Sequence, residues 1–85
     1  MKDDLEILRE EINAIDAELA QLLAERFTVV MAIGALKKKR SLPIENSARE
    51  EEVLERVSKY GYTEEKSTAI RRVYREIIAT SKTLE

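Results

Sequence analysis

The chain has 85 residues, of which 44% are hydrophobic, and this composition predicts one small globular domain spanning residues 1–85. It contains no Cys and no His, which excludes disulfides, thiol nucleophiles, imidazole bases and the usual zinc or haem ligands, so no metal site is expected. The net charge of −2 disfavours nucleic acid as a partner, and with no signal-like start and no apolar run of membrane-spanning length, a cytoplasmic location is predicted.

The first predicted element is a helix from about Asp4 to about Lys39, because apolar residues recur every three or four positions. This apolar seam consists of Leu5, Leu8, Ile12, Ile15, Leu19, Leu22, Val29, Ile33 and Leu36. Gly34 is tolerated inside the helix at a cost of about 1 kcal/mol. Such a helix is ~54 Å long, whereas a compact domain of this size has a radius of gyration of only ~12 Å. A monomer would expose the seam, so we expect a homodimer with intertwined long helices.

Arg26 falls within this seam, at a position where Leu or Ile belongs. An unpaired buried guanidinium costs several kcal/mol, so an anionic group is expected to meet it. Lys37 lies eleven residues further on, at about 20° around the helix axis and ~16 Å along it, and therefore shares the face of Arg26. Arg9 points roughly 100° away from Arg26, so we expect it to join the other two cations from a second subunit.

A first loop is predicted over residues 40–47, where Pro43 breaks the helical pattern. The second helix is predicted over residues 48–59. Its start is expected at a capping box in which Ser47 and Glu50 satisfy each other's free backbone N–H groups.

The third helix follows a short break. Gly61 suits the left-handed conformation that ends helix two, and Thr63 is the expected N-cap of helix three. Helix three is predicted to bury Ile70, Val73, Tyr74, Ile77 and Ile78. The fold class is therefore all-α, with three helices per chain, a very long first helix and an intertwined homodimeric helical bundle.

Polar residues interrupt the apolar pattern near the ends of helices two and three. The stripe of helix three continues onto Ser81 and Glu85, and helix two opens with Arg49 and Glu50 beside Asn46. Brought together with the cations of helix one, these residues predict a pocket with a cationic lining and a few carboxylates. Such a pocket suits a small dianion, because Arg binds carboxylates with two hydrogen bonds and Lys adds a point charge.

Each of these residues taken alone has a simpler interpretation. Arg26 could pair with a Glu inside the seam, and Lys37 belongs to a basic run over residues 37–40. The polar residues of helices two and three suit solvated or fraying helix ends. Another basic cluster is interpreted as a solvated face: Arg71, Arg72 and Arg75. The functional interpretation is favoured because all of these polar interruptions of the apolar pattern occur together in one fold.

The spacing of the charged residues is specific: Arg9, Arg26 seventeen residues on, Lys37 eleven further on, and Arg49 with Glu50 twelve further on. Shorter motifs accompany it: Leu22-Leu23-Ala24-Glu25-Arg26, Ile33-Gly34, Leu42-Pro43-Ile44 and Ile77-Ile78 leading to Ser81. In these features the chain resembles the all-helical class of chorismate mutases over nearly its whole length. The resemblance implies an intertwined homodimer that converts chorismate to prephenate for phenylalanine and tyrosine biosynthesis, with no cofactor.

The resemblance also implies roles for the cations. Arg26, together with Arg9 of the other subunit, binds the two carboxylates of the substrate, and Ser81 assists. Lys37 donates to the ether oxygen of the breaking bond. The rearrangement is pericyclic and needs neither a nucleophile nor a proton transfer, so holding one conformer and stabilising charge on that oxygen suffice.

The remaining roles fall on the second half of the chain. By the same resemblance Glu50 holds the ring hydroxyl of chorismate and Arg49 binds or braces neighbouring charged groups. Two positions depart from the commonest pattern: Asn46 stands where the family often has Asp, and Glu85 stands where a Gln often donates to the ether oxygen.

Two other functions remain open from the residues. An isochorismate–pyruvate lyase on the same scaffold uses a similar dianionic pocket and a related pericyclic step. A non-catalytic helical domain that serves dimerisation, or that regulates by binding pathway metabolites, needs the seam but not the reaction. A pure coiled coil would tolerate Arg26→Leu, whereas a mutase would lose its activity.

Glu85 generates the first prediction. An ionised Glu85 repels the negative charge that grows on the ether oxygen, whereas a protonated one donates to it, so the rate should fall as rising pH removes that proton. Glu85→Gln should flatten the pH profile of kcat, measured from mildly acidic to neutral pH. An identical pH dependence in the two proteins would refute this role.

Overall fold

The computed structural model covers residues 1–85 and contains α-helices, one short 3₁₀ turn and no strand. Helix α1 spans Asp4–Lys39, α2 spans Ser47–Ser58, and α3 spans Glu64–Leu84. The 3₁₀ turn Lys59–Gly61 joins α2 to α3. The predicted all-α class with a very long first helix is confirmed.

Helix α1 begins and ends where local signals favour it. The side chain of Asp3 accepts a hydrogen bond from the Glu6 N–H at 2.8 Å, which satisfies one of the free donors of the first turn. Three lysines occupy the last turn, where cations interact favourably with the helix dipole. The chain then turns sharply at Ser41, which has a φ of 56°.

The helices do not pack evenly against one another. The backbone of α2 lies closely against α3, and α1 closely approaches only α3 among the helices. The molecule consequently measures 59 × 26 × 15 Å, with the N-terminal part of α1 projecting from the body. All nine residues of the apolar seam are exposed in the single chain, Leu22 most of all at 61%. This exposure agrees with the expected dimer, which stays a prediction.

The small core lies where the three helices meet. It contains Val30 of α1, Leu54 of α2 and Ile78 of α3. The predicted burial of α3 is confirmed for Ile78, while three other positions are half-buried: Ile70, Tyr74 and Ile77. It is wrong for Val73, which is 59% exposed in the single chain. Val73 precedes Ile78 by five residues and so points about 140° away from it around the helix.

The start of α2 differs from the predicted capping box. The cap is Asn46, whose Oδ1 accepts a hydrogen bond from the Arg49 N–H at 3.0 Å, so the helix begins one residue earlier than expected. Ser47 is already helical, and Glu50 does not reach back, since its carboxylate accepts hydrogen bonds from Lys82 instead. Glu50 thus pairs with the distant Lys82 rather than with a backbone N–H at the start of its own helix.

The break before α3 also differs from the expectation. Gly61 does not adopt the left-handed conformation; Tyr62 does, with a φ of 63°. Gly61 is needed for space, because a Cβ there would lie 2.4 Å from the backbone N of Ser67. Thr63 is the N-cap of α3 as predicted, and its hydroxyl accepts a hydrogen bond from the Lys66 N–H at 3.2 Å.

The expectation that no segment reaches membrane-spanning length was wrong. By length and composition alone α1 is long and apolar enough to cross a membrane. Its apolar part contains Glu25 and Arg26, and such charges are costly inside a bilayer. The same apolar surface is the seam that a second helix could cover.

Candidate active site

An open cleft of about 220 Å³ lies between the C-terminal half of α1, the α1–α2 loop, the start of α2 and the end of α3. Thirteen residues line it: Arg26, Val30, Ile33, Lys37, Ile44, Asn46, Arg49, Glu50, Val53, Ile78, Ser81, Lys82 and Glu85. Seven of the eight predicted site residues are among them. Four cationic and two carboxylate side chains leave an excess of two positive charges in a chain that is negative overall.

Arg26 enters the cleft from α1 and is held by α3. Its Nη1 donates a hydrogen bond to Ser81 Oγ at 2.8 Å, and its guanidinium lies 5.8 Å from the centre of the Tyr74 ring. Ser81 is only 5% exposed and donates in turn to the carbonyl of Ile77 at 2.7 Å. No carboxylate of the chain lies within 4.0 Å of Arg26, so the expected anion is not supplied from within the chain. The guanidinium is fixed in place and its charge is left unpaired.

Lys37 lies eleven residues further along α1, on the same face as Arg26. Its Nζ donates to the backbone carbonyl of Ile44 at 2.7 Å and approaches Glu85 Oε1 at 2.6 Å. The two charged side chains are only 21% and 10% exposed. The carboxylate oxygen is buried and makes no well-aligned hydrogen bond, so its contact with Lys37 is an ion pair rather than a directed bond.

Gly34 explains how Glu85 reaches this place. A Cβ on Gly34 would lie 2.6 Å from both the Cα and the carbonyl O of Glu85. The absence of a side chain at Gly34 therefore lets the end of α3 contact the backbone of α1. A glycine interpreted from the sequence only as tolerated in a helix is required by this close approach.

Lys82 is a cleft residue that the sequence analysis missed. Its Nζ donates to Glu45 Oε1 at 3.3 Å and to Glu50 Oε2 at 3.3 Å. Hydrogen bonds from its ammonium to Glu45 and then Glu50 raise the pKa of Lys82 above the ordinary value of 10.5, so it stays protonated at neutral pH. Its position directly after the predicted site residue Ser81 could have indicated that it lines the cleft. No local sequence pattern predicts its two partners, Glu45 and Glu50.

Arg49 and Asn46 form the outer edge of the cleft. The guanidinium of Arg49 is 55% exposed and pairs with Glu52 at 2.7 Å, so it is partly directed away from the cleft. Asn46 uses its Oδ1 as the cap of α2. Its amide N–H₂ group makes no hydrogen bond within the chain.

Arg9 is the one predicted site residue that the single chain does not bring to the cleft. It is exposed on the projecting part of α1, about 26 Å along the helix from Arg26. It makes no ion pair within the chain. Its arrival at a cleft therefore requires a second copy.

Comparisons with known proteins identify the family of this chain. A model of the family described as chorismate mutase type II matches residues 8–85. The matched residues include every residue that lines the cleft, so the class of this domain is the all-helical chorismate mutase class. The chain belongs to the chorismate mutase type II family.

Two curated relatives are bifunctional chorismate mutase/prephenate dehydratases. The protein from Aquifex aeolicus (strain VF5) is 38% identical over 90 residues, which cover 98% of this chain and 24% of the relative. The protein from Buchnera aphidicola subsp. Schizaphis graminum (strain Sg) is 38% identical over 81 residues, covering 94% of this chain and 21% of the relative. The chain thus spans about a quarter of the length of these proteins.

A solved structure has nearly the same length. It is a conserved hypothetical protein from Pyrococcus furiosus, 36% identical, with a TM-score of 0.81. The match covers 99% of this chain and 97% of that one.

The contact at Gly34 generates the second prediction. Gly34→Ala should push Glu85 away from Lys37, because the added Cβ would lie 2.6 Å from the Glu85 backbone. The free energy of unfolding should change by less than about 1 kcal/mol, because the higher helix propensity of Ala offsets part of the lost packing. Apart from the neighbours of position 34 within α1, NMR should show shifts at Lys37, Leu84 and Glu85. Ala32→Ser, on the opposite face of α1, is the control and should leave these signals unchanged. Unchanged signals in Gly34→Ala would contradict the proposed close approach.

Proposed function

We propose that this chain is a chorismate mutase, an isomerase that rearranges chorismate to prephenate in its cationic cleft. One observation carries the proposal: a guanidinium fixed by Ser81, yet without any carboxylate partner, faces a cleft that three further cationic side chains line. A chain that lacks His and Cys suits this reaction, because an intramolecular pericyclic step needs no nucleophile and no general base. Membership of the family supports the assignment.

The geometry supports a division of labour between the two cations of α1. Arg26 offers its remaining N–H groups to one carboxylate of the substrate, since only Nη1 is used by Ser81. Lys37, further along the same face, is placed to donate to the ether oxygen of the breaking bond. In this role its charge stabilises the transition state more than the ground state, which is the requirement for catalysis.

Glu85 competes with a substrate for Lys37, because the two side chains form a close ion pair. We infer that chorismate displaces this contact when it binds. A protonated Glu85 then adds a second donor to the ether oxygen, whereas an ionised one keeps hold of Lys37. Glu50 supplies the acceptor for the ring hydroxyl, Asn46 offers its amide at the same edge, and Arg49 braces the rim.

A homodimer completes the site. Pairing of two α1 helices covers the exposed seam and carries Arg9 of the partner subunit towards the cleft, where it binds the second carboxylate of the substrate. Burial of the seam in the dimer also explains why α1 is apolar, so the helix need not cross a membrane. This agrees with a cytoplasmic enzyme.

The third prediction tests the reaction. Purified protein should remove the absorbance of chorismate in a saturable manner and form prephenate, and Arg26→Ala should lower kcat/KM by at least about 10²-fold. Arg72→Ala, at an exposed arginine outside the cleft, serves as the matched control and should retain wild-type activity. Isochorismate is assayed in parallel: release of pyruvate from it without turnover of chorismate would assign the lyase instead. Turnover of neither would leave a binding or dimerisation domain.

The fourth prediction tests the shared site. Arg9→Ala and Arg26→Ala proteins should each be nearly inactive, yet a subunit-exchanged mixture should recover about a quarter of wild-type activity. Half of the dimers are then mixed, and one of their two sites carries both arginines. A mixture as inactive as its components would contradict the contribution of Arg9 across the interface.

A further inference from the structure

Two lysines hold the α1–α2 loop from opposite sides of the cleft. Lys37 of α1 donates to the backbone carbonyl of Ile44, and Lys82 of α3 donates to the side chain of the next residue, Glu45. The loop has no regular structure of its own between Arg40 and Asn46. These two contacts tie the loop to α1 and α3 where it borders the cleft.

The second contact of Lys82 reaches into the cleft. Its ammonium hydrogen bonds both oxygens of Glu50, at 3.4 Å and 3.3 Å. Glu50 is about one quarter exposed, at 28%, and no other cation of the chain pairs with it. Lys82 is thus the group that fixes the direction of this carboxylate, and it shares its charge with a second carboxylate, Glu45.

We propose that Lys82 is a positioning residue for the mutase reaction, holding the Glu50 carboxylate as the acceptor for the ring hydroxyl of the substrate. This proposal rests on the proposed function. Lys82 joins three elements that border one end of the cleft: the loop through Glu45, α2 through Glu50 and α3 by its own position. Without its charge, Glu45 and Glu50 lose the cation that they share, and Glu50 is free to turn away from the cleft.

Hydroxyl recognition gives this role a specific signature. A carboxylate that is correctly aimed at a hydroxyl improves binding and turnover only of substrates that carry the hydroxyl. Loss of Lys82 should therefore affect chorismate but not an analogue in which hydrogen replaces the ring hydroxyl. A residue that merely stabilises the helices would affect both compounds alike.

The test compares Lys82→Met with Lys82→Arg. The Met variant should lower kcat/KM for chorismate about tenfold, while Arg, which keeps the charge, should stay within about threefold of wild type. The inhibition constant of the analogue lacking the hydroxyl should be the same in all three proteins. Lys66→Met, at an exposed lysine of the same helix, is the matched control and should behave as wild type.

A double-mutant cycle identifies the partner. In a Glu50→Gln background the further change Lys82→Met should lower kcat/KM by less than about twofold, because the carboxylate it positions is gone. Equal losses in both backgrounds, equal losses in the Met and Arg variants, or a parallel loss of analogue binding would each overturn the proposal.

Failure of the reaction itself can be told apart from failure of this proposal. Wild-type protein that does not turn over chorismate would remove the proposed function alone. The contact of Lys82 with Glu50 is then judged by urea unfolding of the wild type, Lys82→Met, Glu50→Gln and the double variant, a measurement that requires no activity. A coupling between the two substitutions supports the contact, and strict additivity overturns it.

Discussion

The packing of the last turn of α3 against the C-terminal half of α1 is the contact on which the cleft depends. Gly34 removes the side chain that would separate the two backbones, and the hydrogen bond from Arg26 to Ser81 links them about two helical turns away along α1. Because α1 approaches no other helix closely, it is joined to the rest of the molecule by this contact and by the loop that Lys37 holds through Ile44. The same contact places Glu85 beside Lys37.

Charge in this chain is distributed unevenly, and the unevenness suits a dianionic ligand. The whole chain carries a net −2, yet the side chains of the cleft carry an excess of two positive charges. The cations are also not equivalent. Arg26 has no carboxylate partner, Lys37 is paired with one, and Lys82 is shared between two. Only the first is free to meet an incoming anion without losing an existing ion pair, while Lys82 is held as part of the framework.

The exposed seam and the position of Arg9 point to one solution. A helix 36 residues long cannot be covered by a body in which only two short helices remain. Under the proposed function, a second copy would cover the seam and bring its Arg9 to the cleft. Stability and catalysis would then depend on the same association, so dilution would lower both together.

Sequence by itself determined the class of fold, the extent of α1 and the candidate residues, because these follow from local spacing: apolar residues every three or four positions, and polar residues that interrupt them. The Thr63 cap was predictable for the same reason. The failures have two physical origins. The Asn46 cap and the close approach of Gly61 to Ser67 are local contacts that apolar periodicity does not distinguish. The partners of Lys82 and Glu50, in contrast, are brought near only when helices pack. Val73 likewise became exposed through the rotation of α3 about its axis. The tertiary structure alone decided which charges are paired and which remain available, because burial and hydrogen-bond geometry between distant residues set these properties and local periodicity does not encode them.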